Sequence, residues 1–265
     1  MIAIPAVFWR ESNQSLCIHA LVAGMTHGFA EYLSVKLYQK SSFLKRAHNY
    51  YNHYLMEWIL QLPVLFFSVI FHEFAHGCAA YRRGDDTAYL SGRLSFNPLP
   101  HIDPVGTVLL PAACVYMGFP AIGWAKPVPV NPCRLHNPRS DMALVAFSGP
   151  LSNILLAIAA AIAFKIFTLG FIGGELALTL LKTCGFAVVI NLLLAVFNLL
   201  PVYPLDGSQI ALGLLKGRWL EIYEKHLPYG VYIIIGLMIT GLLPRIMRPL
   251  LNLALLLVSP IMGAV

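Results

Sequence analysis

Long apolar runs separated by short polar or proline-rich breaks dominate the chain. The strongest lie at residues 58–71, 142–164, 187–200, 229–243 and 250–258. Several are long enough, with their flanks, to cross the roughly 30 Å hydrocarbon core of a bilayer. The pattern changes abruptly at Leu55, where a strong span begins; it runs to Tyr81 and stops at the charged turn Arg82-Arg83-Gly84-Asp85-Asp86. Residues 87–96 alternate in a period of two around Gly92 and predict short strands, with Asn97-Pro98 ending the run. Residues 106–124 are apolar but interrupted by Pro111, Gly118 and Pro120, which predicts a re-entrant or interfacial hairpin. Residues 127–132 carry too many prolines for a helix and are expected to be extended. After Arg139 the pattern predicts a span to about Leu169, a Gly-rich turn, a second span ending at Leu200, a polar loop with Asp206, and one or two final spans. The expected fold is an all-α polytopic membrane protein of about five to six transmembrane helices, with a small β-hairpin or sheet and an irregular, re-entrant segment.

Composition agrees. Apolar residues make up 58% of the 265 and charged residues only 11%, far from the balance of a soluble domain. The formal charge of +6 does not point to nucleic acid, because the basic residues form short clusters between apolar runs, where membrane helices are usually flanked. Residues 1–54 differ from the rest: they mix Arg10, Glu11, Lys36, Lys40, Lys45 and Arg46 with a moderately apolar stretch at 16–35 that includes His19, His27 and Glu31. This part is expected to be an interfacial helix or a soluble extension, preceding a single domain at 55–265. It lacks the basic start, apolar stretch and small-residue cleavage site of a signal peptide in their required order. Cys17, Cys78, Cys114, Cys133 and Cys184 are scattered without a C-x-x-C pair, so neither a disulfide framework nor a cysteine zinc site is indicated. Cys78 reads as a small apolar filler.

One segment carries chemistry in the wrong solvent. His72-Glu73-Phe74-Ala75-His76 lies within an apolar span, where ionisable residues are costly unless they are partnered. On a helix, His72 and His76 project from one face and both reach a metal about 2 Å away, while Glu73 is turned by about 100° towards a metal-bound water. A catalytic zinc site takes three protein ligands and one open position, so a third ligand must come from elsewhere. Asp206 follows a span across Pro201-Val202-Tyr203-Pro204-Leu205, whose prolines can turn the acid back to membrane depth. Asp103 is its rival, although Asp103-Pro104 is also good turn chemistry.

Phe71-His72-Glu73-Phe74-Ala75-His76-Gly77, Gly92-Arg93-Leu94-Ser95-Phe96-Asn97-Pro98 and His101-Ile102-Asp103-Pro104-Val105-Gly106-Thr107 resemble the site-2 protease family of intramembrane zinc metalloproteases. Gly123-Trp124-Ala125-Lys126-Pro127-Val128-Pro129-Val130-Asn131-Pro132, Gly149-Pro150-Leu151-Ser152-Asn153 and Asn198-Leu199-Leu200-Pro201-Val202-Tyr203-Pro204-Leu205-Asp206-Gly207 follow in the family's order. The resemblance covers residues 58–215. It implies one zinc held by His72, His76 and Asp206, with Glu73 as catalytic base and Asp103 part of a turn. It also implies a place for Asn198 near the metal, where it polarises the scissile carbonyl or grips substrate backbone; a helix-packing hydrogen bond is the competing reading. Asn153 reads as a packing residue. The spacing leaves no room for a PDZ domain between spans and there is no C-terminal CBS domain, so the chain looks like the minimal form. Relatives of that form usually begin just before the metal helix, which makes Met56 the expected start; native protein whose N-terminal sequence begins before Met56 would remove this expectation.

The resemblance implies cleavage of transmembrane protein substrates within the bilayer. A helical substrate must unwind first, and the strand-like residues 87–96 are expected to offer it an edge. Arg82, Arg83, Arg93, Lys126, Arg134 and Arg139 place the metal end of the helix towards the cytoplasm of the cell membrane, against Lys36, Lys40, Lys45 and Arg46 at the other end. A metal transporter is the alternative from another class. It is disfavoured because the intramembrane polar residues collect at one point and no internal repeat is present. A catalytically dead scaffold is disfavoured because every proposed catalytic group is there.

Overall fold

The computed structural model of the chain describes residues 2–3, 40–109, 113, 116, 122–123, 126–170 and 173–263. The stretch at 16–35 and most of the expected re-entrant stretch at 106–124 lie outside these residues. Helix α1 (Lys40–Arg82) begins well before the change in pattern at Leu55 and runs through Pro63. Its apolar part, Leu60–Arg82, is long enough to span a bilayer. The helix ends where the sequence predicts, with Arg83 N–H bonded to the Ala80 carbonyl at 2.9 Å and Gly84 at a φ of 101° that favours glycine.

The strands expected at 87–96 are not formed. Thr87–Leu90 is a short helix, α2, followed by a turn at Gly92 with φ 67°. The local chemistry overrides the alternation. The Asp85 carboxylate accepts from the Thr87 backbone N–H and hydroxyl, which starts a helical turn, and Ala88 is sealed beneath Gly77 of α1. The remainder is tied down by side chains in place of a ladder: His101 Nε2 meets the Ser95 carbonyl at 3.0 Å, and Phe96 stacks on Phe74 with ring centroids 4.2 Å apart. Strand pairing among the described residues is a two-residue antiparallel contact between β1 (Ile2–Ala3) and β2 (Ile122–Gly123). Pro104–Leu109 forms a wide π-helical turn, with Asp103 accepting from the Val105 and Gly106 N–H groups as a turn residue does.

Helices α3 (Pro138–Thr168) and α4 (Gly174–Asn198) form the expected pair of spans. The loop after them leads into α5 (Asp206–Leu214), α6 (Arg218–His226), α7 (Gly230–Ile239) and α8 (Leu242–Met262). The apolar run at 229–243 is broken at Gly241, whose φ is 68°, and α7, at about 15 Å, is too short to cross alone. Among the described residues four helices are long and apolar enough to span: Leu60–Arg82, α3, α4 and α8. The five or six expected are not reached among the described residues.

The core forms around α4. Val188, Leu192, Leu193 and Phe197 are buried against Val69 of α1, Ala157 and Ala161 of α3, and Leu243, Met247, Leu251 and Val258 of α8. Lipid supplies no hydrophobic drive for helices to associate, so close backbone approach and interhelix hydrogen bonds do more of the work. Helix α3 is built for this. Val145, Gly149, Asn153, Ala157 and Ala161 recur every fourth residue and are all buried, giving a narrow, mostly small-residue seam to which α1 and α4 draw near.

Candidate metal centre

The site forms where that seam meets α1. His72 and His76, four residues apart, are both buried, with ring centroids 4.6 Å apart. Their Nε2 atoms lie 3.0 Å apart. The third group arrives from the turn after α4. Val202 N–H bonds to the Leu200 carbonyl and Leu205 N–H to that of Val202, folding the chain so that α5 opens with Asp206. Gly207 makes the fold possible: a Cβ there would lie 2.3 Å from the Leu200 carbonyl oxygen and 2.4 Å from that of Leu199. Arg139 of α3 anchors α5 from its far end by donating to the Leu212 carbonyl at 2.8 Å and to that of Leu215. Asp206 Oδ2 then stands 3.1 Å from His72 Nε2, and Oδ1 stands 3.4 Å from His76 Nε2. One ligand atom from each of the three residues lies within 4.8 Å of the others.

Hydrogen bonding settles what these atoms offer. His72 Nδ1 lies 2.5 Å from Asn153 Oδ1, and His76 Nδ1 lies 2.7 Å from the Val145 carbonyl. Both partners are acceptors, so each Nδ1 carries a hydrogen and each ring turns Nε2 inward, where a metal would take its lone pair. Asp206 Oδ2 is buried without a hydrogen-bond donor. Two lone pairs and an anion thus converge on a point that demands positive charge. The donor set, the orphaned oxygen and the inward lone pairs fit a zinc ion with an open fourth position. Gly149 leaves the necessary room: a Cβ there would sit 2.5 Å from His76 Nε2 and 2.6 Å from His72 Cε1.

Glu73 points around α1 to the extended segment at 126–131, where its Oε2 accepts from Val128 N–H at 2.9 Å. Gly77 lets that segment lie close, with Val128 Cγ1 3.2 Å from where a Cβ would be. Pro127 and Pro129 flank Val128 and have no N–H, so the one donor between them goes to Glu73. Asn198 is buried near the end of α4 and donates its amide to the Leu194 carbonyl at 3.1 Å. Asp103 lies in its turn and belongs to no metal-binding group among the described residues. The residues whose part was least legible are Gly149 and Asn153. Asn153 links helices, as expected of a packing residue, and also touches His72, a candidate ligand.

A bundle of apolar helices with two buried histidines, a half-buried aspartate beside them and an adjacent glutamate has the donor set of a membrane metallohydrolase. Residues 61–240 match peptidase family M50. The chain is 36% identical over 208 residues to "Putative zinc metalloprotease YwhC" of Bacillus subtilis, covering 77% of this chain and 90% of that protein. It is 29% identical over 105 residues to "Putative zinc metalloprotease Rip2" of Mycolicibacterium smegmatis, covering 40% of this chain and 39% of that one. No solved structure matches it significantly. The chain belongs to peptidase family M50 and is a zinc metalloprotease of the site-2 type.

Proposed function

We propose that this metalloprotease hydrolyses peptide bonds of transmembrane protein substrates within or near the bilayer, as a step of regulated intramembrane proteolysis. One zinc per chain would be held by His72, His76 and Asp206. The observation that carries the reading is the convergence of His72 and His76, inside a long apolar helix, with Asp206 from the turn after α4. When bound, zinc supplies an acidified water, with a pKa brought towards about 7, and polarises the scissile carbonyl.

The chain's own residues do the rest. Glu73 takes the proton of the attacking water on Oε1 and returns it to the leaving amine, while the Val128 N–H on Oε2 keeps the carboxylate aimed. Asn198 grips the substrate backbone through Oδ1, the end of its amide not given to Leu194. The site lies roughly 9 Å (His76) to 15 Å (His72) along α1 from Arg82, near enough to one membrane face for water to enter. That face is the cytoplasmic side of the cell membrane, given the basic residues at that end of the bundle.

Glu73→Gln in purified, zinc-loaded protein tests the reading. It should retain zinc and lose cleavage of a transmembrane substrate by at least about a hundredfold. Undiminished cleavage would remove Glu73 from the chemistry, and wild-type protein that moves zinc across vesicles without cutting any substrate would refute the protease reading. Asn198→Ala should keep zinc and raise KM; unchanged kinetics with lowered thermal stability would return Asn198 to packing.

A further inference from the structure

Behind Asn153 a line of buried polar side chains crosses three spans. Asn153 Nδ2 donates to Asn191 Oδ1 of α4 at 2.8 Å and, at a longer 3.4 Å, to the Ser68 carbonyl of α1. Asn191 Nδ2 donates to Ser68 Oγ and to the Ala187 carbonyl, both at 2.9 Å. Ser68 Oγ donates to the Val64 carbonyl at 2.8 Å. Ser68, Asn153 and Asn191 are each at most 2% exposed, so no solvent competes for these bonds.

The line has a direction, and the direction is forced. A backbone carbonyl only accepts. Ala187 therefore demands that Asn191 present its NH₂ to it, which leaves Asn191 Oδ1 facing Asn153. That oxygen demands the NH₂ of Asn153, which leaves Asn153 Oδ1 facing His72. His72 must then carry its hydrogen on Nδ1 and keep a lone pair at Nε2. An amide flip at Asn191 would set oxygen against oxygen at Ala187, at the full cost of an unmade buried bond.

The geometry points to Asn191, seconded by Ser68, as the positioning residue that sets the metal-binding tautomer of His72 through Asn153. This rests on the proposed zinc site, which it deepens. Asn191 touches neither ligand nor substrate. Its function is to stop the Asn153 amide from turning, and so to keep His72 from pointing an N–H where the metal must bind.

Two measurements on purified wild type and variants test it: zinc affinity by chelator competition, and the tautomer of His72 by imidazole ¹⁵N resonances, assigned with His72→Ala. In wild type His72 should be uniformly Nδ1–H, with and without zinc. Asn191→Leu leaves the Asn153 NH₂ only the 3.4 Å contact, so His72 should become a mixture of tautomers and zinc should bind about tenfold more weakly. Ser68→Ala, a milder change that leaves the Ala187 restraint in place, should weaken zinc no more than about threefold. Leu192→Ala, which opens a cavity beside Asn191 without touching the line, should lower thermal stability and alter neither readout. The proposal is overturned if Asn191→Leu keeps a single His72 tautomer and wild-type affinity, or if Leu192→Ala matches its loss of zinc. Should Asn191→Leu fail to fold, Ser68→Ala with an affinity loss greater than Asn153→Leu overturns it, since effects must fall with distance along the line. If wild type takes up no zinc that His72→Ala abolishes, the metal site itself fails, while the tautomer result still reports separately on the line.

Discussion

Gly149 is where a single hydrogen atom decides whether the metal has room. A methyl there would lie 2.5 to 2.6 Å from atoms of both imidazoles, well inside van der Waals contact, and the histidines have no slack because each Nδ1 is already committed. Gly149→Ala should therefore fold, as alanine suits a helix better than glycine, yet bind zinc at least about ten- to a hundredfold more weakly, as read by metal content after dialysis against a weak chelator. Full zinc occupancy would show that the imidazoles can retreat. Of the candidate ligands, His72 and His76 form a local pattern through their four-residue spacing, whereas the residues alone left Asp206 beside Asp103 and only the family resemblance chose between them. The contact of Asn153 was not legible, since its bond to His72 joins residues 81 positions apart. The available signal was positional: Asn153 stands four residues after Gly149 on a stripe of buried small residues, where a polar side chain must find a partner on a neighbouring helix.

Between elements, the end of α1 is fastened by one buried carboxylate. Asp85 Oδ1 accepts from Thr87 and Oδ2 from Asn131 N–H at 2.6 Å, so it both starts α2 and pins the extended segment that carries Val128. Burial would raise the Asp85 carboxyl, but the hydrogen bonds from Thr87 and Asn131 and the nearby Arg134 charge prevail and lower it. A folded-state pKa below the unfolded value of about 3.9 stabilises the fold above that pH, and the contribution is lost as pH falls through the folded value. Asp85→Ala leaves buried backbone donors unmet and should cost about 2–3 kcal/mol at pH 7. In detergent, the gap in thermal midpoint between wild type and Asp85→Ala should be constant from pH 7 to 5 and narrow below about pH 4; a gap that widens on acidification would contradict the assignment. The same carboxylate explains why residues 87–96 misled. Alternating hydrophobicity describes a strand only if a neighbour takes up its backbone bonds, and here the Asp85 side chain claims the Thr87 N–H before any ladder can start. The span boundaries expected at Arg82 and after Arg139 lie within a residue or two of the helix ends because charge marks them directly.

Across the described residues apolar side chains fill the core and also cover much of the surface, while several polar side chains lie inside. Large apolar side chains such as Leu155, Ile162, Leu253, Leu256 and Leu257 are exposed, whereas Ser68, His72, Asn153, Asn191 and Asn198 are inside. This is what a lipid solvent requires, and it makes the count of spans harder to read than their existence: an apolar run such as 229–243 satisfies hydropathy whether it forms one helix or, as here, is broken by a left-handed glycine. Orientation is the property left to charge. Around the metal end stand Arg82, Arg83, Arg134 and Arg139, and beside them Cys133 is exposed. A variant with Cys17, Cys78, Cys114 and Cys184 replaced by alanine therefore carries one reporter on that face. If the metal end faces the cytoplasm, a membrane-impermeant maleimide should leave Cys133 unlabelled in intact cells and modify it fully after permeabilisation, with cleavage activity retained throughout. Labelling in intact cells would instead put the site on the outer face. The basic residues at 36–46 would then be the cluster that governs insertion, and water and substrate would reach Glu73 from outside the cell.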